Sequence, residues 1–259
     1  MTTYKIEAGT AQHIGNRPQQ NDRAALMNGA RAPGYVLADG IGGASASEQV
    51  LHTARQVFDE FKPGDGPGTE RVAQLLRDIV NETHLVIKMN AVAAQTEAHA
   101  SFVGLVMTPH GEAVWGHVGD SRLYRFTDGK CVARTSDAPY IEHLVSSDRL
   151  PEDAARNHRK SKLLLNVMGN SRKEPFVAID SATGLAPGDS FLLCSDGLWH
   201  FFTDAELAAV TARSSPRQAS EMLIDKAQER SQGKGGNCTM AIVKLVKAVQ
   251  EVARVGTLV

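Results

Sequence analysis

Val36-Leu37-Ala38-Asp39-Gly40-Ile41-Gly42-Gly43 decides how this chain is read. A short apolar run from Tyr35 to Ala38 stops at one carboxylate, and three glycines follow within four residues. An apolar run bounded by glycines reads as a buried strand ending in a sharp turn. Glycine lets the backbone approach a ligand closely, so carbonyl oxygens as well as the Asp39 carboxylate can face it. Such a donor set suits a hard, oxygen-seeking cation. Alone, the octet reads equally well as an Asp-Gly turn between two strands. Similar pieces recur outward from it: Leu192-Leu193-Cys194-Ser195-Asp196-Gly197-Leu198-Trp199, His117-Val118-Gly119-Asp120-Ser121-Arg122 and, upstream, Arg17-Pro18-Gln19-Gln20-Asn21-Asp22. Four aspartates at strand ends or turns, far apart in sequence, can converge on one metal cluster.

These motifs occur in an order that resembles the metal-dependent serine/threonine protein phosphatases of the PP2C type in their bacterial form. The resemblance runs over roughly residues 8–246. It rests on Arg17–Asp22, the DGxGG motif Asp39–Gly43, GDSR at Gly119–Arg122, the segment Thr135–Val145, SDGLW at Ser195–Trp199 and the Asn-x-Thr strand Asn237–Leu245. It implies an α+β fold, a four-layer α-β-β-α sandwich of two antiparallel sheets flanked by helix pairs, with a metal site at one edge between the sheets. It also implies two to three Mn²⁺ or Mg²⁺ ions and hydrolysis of phosphomonoesters by a hydroxide bridging two of them, since paired ions lower the pKa of bound water and neutralise phosphoryl oxygens. By the same resemblance Asp39 is shared by two ions, the Gly40 carbonyl and Asp196 are further ligands, and Asp120 joins Asp196 at an additional ion. Ser161 lies near that ion, and Asp22 orients a metal-bound water from behind the ligands. Arg17 clamps the phosphate, a task suited to a planar guanidinium. From sequence alone Arg17 reads equally as a surface charge.

The chain departs from the family pattern at several places. Asn21 replaces an acidic residue, and Gly236 stands where the family has an aspartate ligand. Restoring Asp at 236 is expected to tighten metal binding, unless the backbone there has a positive φ. Ile41 follows the Asp-Gly pair where eukaryotic relatives often place His, and Ala100-Ser101-Phe102 replaces Gly-Thr-Thr, a change read as one of packing. Two functions follow as expectations. The first is a serine/threonine phosphoprotein phosphatase opposing a serine/threonine kinase in bacterial signalling, its partners being phosphoserine and phosphothreonine proteins. The second is a pseudophosphatase that binds phosphoproteins or a regulatory partner with little turnover, because ligands are missing at Asn21 and Gly236.

Composition sets the outer bounds. The 259 residues are 42% hydrophobic, enough for one large domain or two small ones, and the formal net charge is −1, so no global field points to nucleic acid or a membrane. No apolar run approaches the ~20 residues that cross a bilayer, and the first residues lack a signal-peptide core. Cys131, Cys194 and Cys238 form neither a zinc pattern nor a disulfide framework, and read as buried free thiols in a reducing cytoplasm. The expectation is a cytoplasmic monomer with one PP2C-type domain over 1–246 and a C-terminal tail over 247–259.

Along the chain, residues 4–14 read as a first strand and Ser45–Lys62 as a helix with Val50, Leu51, Ala54, Val57, Phe58 and Phe61 on one face. A second helix carries Val72, Leu75, Leu76, Ile79, Val80 and Ile87, and neither His52 nor His84 on these helices reads as catalytic. Ser101–Met107 and Ala113–Val118 form a hairpin about Pro109-His110-Gly111. Asp137 opens a helix through Val145, Leu150-Pro151 starts another, and the basic run Asn157–Lys162 reads either as a solvated loop or, by the resemblance, as a flap beside the site. Thr203 and Glu206 form a capping box. Ser215-Pro216 opens a helix with Ala219, Met222, Leu223 and Ala227 inward.

Overall fold

The structure, a computed structural model, describes residues 4–28, 32–62, 64, 68–136, 140 and 166–248. The expectations for Asp137–Val145, Leu150–Ala154, Asn157–Lys162, Ser161 and the tail from 249 onward lie outside the described residues.

Among the described residues, twelve strands and five helices follow one another. They are β1 (Tyr4–His13), β2 (Arg23–Asn28), β3 (Pro33–Ala38), β4 (Gly40–Ile41), α1 (Ser45–Glu60), α2 (Thr69–Ala94), β5 (His99–Ala100), β6 (Phe102–Met107), β7 (Ala113–Val118), β8 (Arg122–Thr127) and β9 (Lys130–Arg134). After the undescribed stretch come β10 (Ala178–Ala182), β11 (Ser190–Cys194), α3 (Asp196–Trp199), α4 (Asp204–Arg213), α5 (Pro216–Ser231) and β12 (Cys238–Lys247). Two five-stranded sheets result, ordered β1-β12-β11-β8-β9 and β10-β7-β6-β3-β2, and β4 pairs with β5 in a separate ribbon. The pairings are antiparallel.

The apolar runs that looked continuous in sequence are sorted by strand alternation, because successive side chains point to opposite faces. Leu37, Val103, Leu105 and Trp115 of one sheet meet Phe191, Leu193, Val243 and Leu245 of the other, forming the central layer of apolar contact. Their neighbours Val36, Phe102, Val106 and Val114 turn outward and are covered by Val50, Ala54, Phe58, Leu76 and Ile79 of α1 and α2. On the far side Leu192, Cys194, Met240 and Ile242 turn outward beneath Leu207, Ala219, Leu223 and Ala227 of α4 and α5. Strands covered on both faces, such as β3 and β6, are buried and apolar at successive positions, which is why they carry no polar alternation. The outcome is the helix–sheet–sheet–helix sandwich that the resemblance implies.

Helix ends follow local chemistry. Thr203 and Glu206 close the expected capping box on α4, and Ser215 with Gln218 closes a second one on α5, where Pro216 occupies the first turn. Two expectations need correction. Met222 is 53% exposed, because the inward stripe of α5 follows the i, i+4 ladder Ala219, Leu223, Ala227 with Ile224 beside it. Cys131 is only partly buried on β9, a sheet-edge strand, whereas Cys194 and Cys238 are buried and free as expected.

Candidate metal and phosphate site

Asp39 sits between β3 and β4, where the chain leaves one sheet and enters the small ribbon. Its backbone is fixed from below by Ser101: Ser101 N–H donates to the Asp39 carbonyl at 3.0 Å, and Asp39 N–H reaches Ser101 Oγ at 3.4 Å. Ser101 Oγ in turn pairs with Ser121 Oγ at 2.6 Å, tying this floor to the turn that carries Asp120. The Ala100-Ser101-Phe102 departure is therefore more than packing; its hydroxyl helps to set the Asp39 main chain.

Gly40 is required by space. A Cβ there would lie 2.5 Å from the Gly43 carbonyl oxygen and 2.9 Å from that of Asn21. Gly40 N–H donates to the Asn21 carbonyl at 3.3 Å, and Ser47 Oγ donates to the same oxygen. The Asn21 side chain is engaged elsewhere, its Oδ1 accepting from Gln19 Nε2 at 2.7 Å.

Asp22 is fully buried. Ser195 Oγ donates to Asp22 Oδ2 at 2.7 Å, and Thr239 N–H donates to Ser195 Oγ at 3.0 Å. Among the described residues Asp22 Oδ1 is buried without a well-aligned hydrogen bond, although the Thr239 hydroxyl and the Asp39 carboxyl both lie close to the Asp22 carboxyl. Burial pushes the Asp22 carboxyl up despite the Ser195 hydrogen bond. Asp39 is pushed up to about 9, first by burial and then by the charges of Asp22, Asp196 and Asp120. Those causes place Asp22, Asp120 and Asp196 within electrostatic reach of Asp39.

Asp196 opens the short helix α3 and is more exposed, with His200 Nδ1 3.8 Å from its Oδ2. Trp199 Nε1 donates to the Asp120 carbonyl at 2.9 Å, and Arg122 lies 3.3 Å above the Trp199 ring. These contacts join the GDSR and SDGLW turns.

Arg17 is exposed on the loop between β1 and β2. Asn237 holds that loop. Its Oδ1 accepts from Asn21 N–H at 2.8 Å, and its Nδ2 donates to the carbonyls of Ile14 at 2.8 Å and Gln19 at 3.1 Å. Asn16 N–H adds a bond to the Gly235 carbonyl at 2.8 Å. The loop carrying Arg17 and Asp22 is thus clipped to the start of β12.

Sequence reasoning assigned no role to Ser195, Thr239 or Asn237, although all three lay inside quoted motifs. The signal was the polar residue beside each motif aspartate or strand start. Among the described residues, no three His, Cys, Asp or Glu side chains are placed to hold one ion by themselves. The unsatisfied buried oxygen of Asp22 and the raised Asp39 nevertheless fit a hard cation that retains much of its water.

A family profile for protein phosphatase 2C matches residues 9–230. The chain belongs to the protein phosphatase 2C family. It is 27% identical over 235 residues to the serine/threonine protein phosphatase PstP of Mycobacterium tuberculosis, a match spanning 87% of this chain and 42% of PstP. It is 24% identical over 249 residues to the serine/threonine phosphatase stp of Listeria innocua, spanning 93% and 94%. The chain therefore spans less than half the length of PstP and nearly the whole of stp. Its fold is similar to the S. agalactiae serine/threonine phosphatase, with a TM-score of 0.76 and 22% identity over 94% of this chain and 100% of that one. It is also similar to the catalytic domain of PstP solved in complex with two manganese ions, with a TM-score of 0.70 and 23% identity over 95% and 100%. Among the described residues, no helix is long and apolar enough to cross a membrane.

Proposed function

We propose that this chain is a divalent-metal-dependent phosphatase of phosphoserine and phosphothreonine proteins. The observation that carries this reading is the fully buried Asp22 beside the half-buried Asp39, with Asp196 and Asp120 in electrostatic reach of Asp39 and one oxygen of Asp22 buried without a hydrogen bond among the described residues. The names of the family relatives support the substrate class, and the manganese ions of the PstP catalytic domain support the metal.

In this reading Asp39 and Asp196 hold the ions, with Gly40 adjacent and Asp120 at a further one. When bound, these ions supply an activated water as attacking group and offset the phosphoryl charge. Asp22, fixed through Ser195 and Thr239, orients water behind the ligands. Arg17 takes the phosphate by charge-assisted hydrogen bonds. No serine, cysteine or histidine of the site is cast as a nucleophile.

The second reading, a phosphoprotein binder with little turnover, is favoured by the Asn21 side chain being engaged with Gln19 and by the missing side chain at Gly236. One assay separates the two: release of phosphate from a phosphothreonine peptide with millimolar Mn²⁺. Turnover that disappears in EDTA is expected. Full activity after exhaustive chelation overturns the metal assignment, and binding of the peptide without turnover supports the second reading.

A further inference from the structure

Gly236 is a glycine for which the backbone gives no reason. It is absent from the positive-φ glycines of the chain. Among the described residues, a Cβ built there meets only Arg17 Nε and Nη2, each at 3.8 Å. At Gly40, by contrast, main-chain atoms stand 2.5 and 2.9 Å from such a Cβ, so that glycine is forced by the fold. A side chain at 236 would thus point at the Arg17 guanidinium, and a carboxylate one bond further out would come within ion-pairing reach. Among the described residues Arg17 has neither an ion pair nor a hydrogen bond. The hydrogen bonds of Asn16 and Asn237 hold the loop backbone rather than the guanidinium.

We propose that Gly236 is an affinity-determining position: by withholding a side chain it leaves Arg17 unneutralised for a dianionic phosphate. The inference rests on the reading that Arg17 receives the phosphate. It assigns to position 236 a role in anion capture, alongside any effect on the metals. An aspartate introduced there would pair with Arg17, and the pair would have to separate before a phosphate could take the same donors. Exposed pairs of this kind are weak, so the expected penalty is modest.

The test is calorimetric titration of inorganic phosphate into the full chain, at manganese concentrations saturating for each variant, with folding followed by thermal melting. Gly236→Asp is expected to weaken phosphate binding about three- to fivefold. Gly236→Asn and Gly236→Ala, which add bulk without charge, are expected to stay within about twofold of wild type. In an Arg17→Ala background, Gly236→Asp should cause no further loss, because the double-mutant cycle then has no pair to break. Unchanged or tighter phosphate binding in Gly236→Asp overturns the proposal, as does an equal loss in Gly236→Asn. Tighter Mn²⁺ binding with phosphate affinity unchanged likewise overturns it and returns position 236 to the metals. If Arg17→Ala binds phosphate as wild type does, the failure lies in the Arg17 assignment instead. Should Gly236→Asp melt early, Gly236→Glu carries the same charge on a longer arm and takes its place.

Discussion

Asp39 concentrates the electrostatics of the molecule in one carboxyl group. Its ordinary value of 3.8 is pushed up to about 9 by burial and by Asp22, Asp196 and Asp120. Between those two values the folded metal-free chain holds a proton that the unfolded chain has released. Stability without metal should therefore fall as pH rises from about 4 to about 9. A cation displaces that proton, so Mn²⁺ should raise the melting temperature more at pH about 8 than at pH about 5.5. Asp39→Asn should flatten the pH dependence measured in EDTA; an unaltered slope would place the titration elsewhere. With a phosphopeptide at limiting metal, Asp39→Asn and Asp196→Asn are each expected to abolish turnover with the fold intact. Wild-type rates in either would mean that the carboxylates are misassigned. Asp39 and Asp196 could be read from sequence because each closes an apolar run, and Asp22 and Asp120 because they sit in turns that recur in the same order of motifs. Ser195 and Ser101 could not, since a hydroxyl declares its task only through its partner. For Ser195 that partner is an Asp22 oxygen 173 positions away.

At the scale of elements, the sequence located strands and helices well where one periodicity dominated. It placed Val72, Leu75, Leu76, Ile79, Val80 and Ile87 on the buried stripe of α2, where they lie. It misplaced Met222, because in a helix of low apolar content a methionine looks like core even when the ladder turns it to solvent. The least legible feature was the clip between β12 and the β1–β2 loop. Asn237 makes three hydrogen bonds there to main-chain groups of Ile14, Gln19 and Asn21. Asn237→Ala should cost about 0.5–1.5 kcal/mol in denaturant unfolding, since it removes one part-buried and two exposed hydrogen bonds. It should also weaken both metal and phosphate binding, because the loop carrying Arg17 and Asp22 loses its tether. Thr203→Ala, which removes the α4 cap at a cost of about 1 kcal/mol, should lower stability without touching either ligand. Equal ligand losses in the two variants would make the Asn237 effect one of general destabilisation.

At the scale of the whole molecule, the strand and helix order pointed only to α+β; the sandwich came from the ordered motifs. The missing physical information was the sorting of strand faces into three apolar layers, which depends on sheets meeting face to face and not on any local period. The pairing of β1 with β12 over ten residue pairs is equally invisible locally, since it joins Tyr4–His13 to Cys238–Lys247. That pairing also has a consequence for biosynthesis. A nascent chain that has emerged only as far as Ser231 has β1 without its neighbour, Asp22 without the Ser195–Thr239 bracket, and the Arg17 loop unclipped. Domains dominated by such distant contacts form late, after the last strand clears the ribosome. Ribosome-stalled chains exposed to residue 231 should therefore be cleaved readily by protease with or without Mn²⁺. Chains exposed through residue 248 should become resistant, and more so when the metal is present. The timing of translation would thus gate the moment at which the acidic pocket first exists, keeping an unfinished polypeptide from binding the ion or the phosphate.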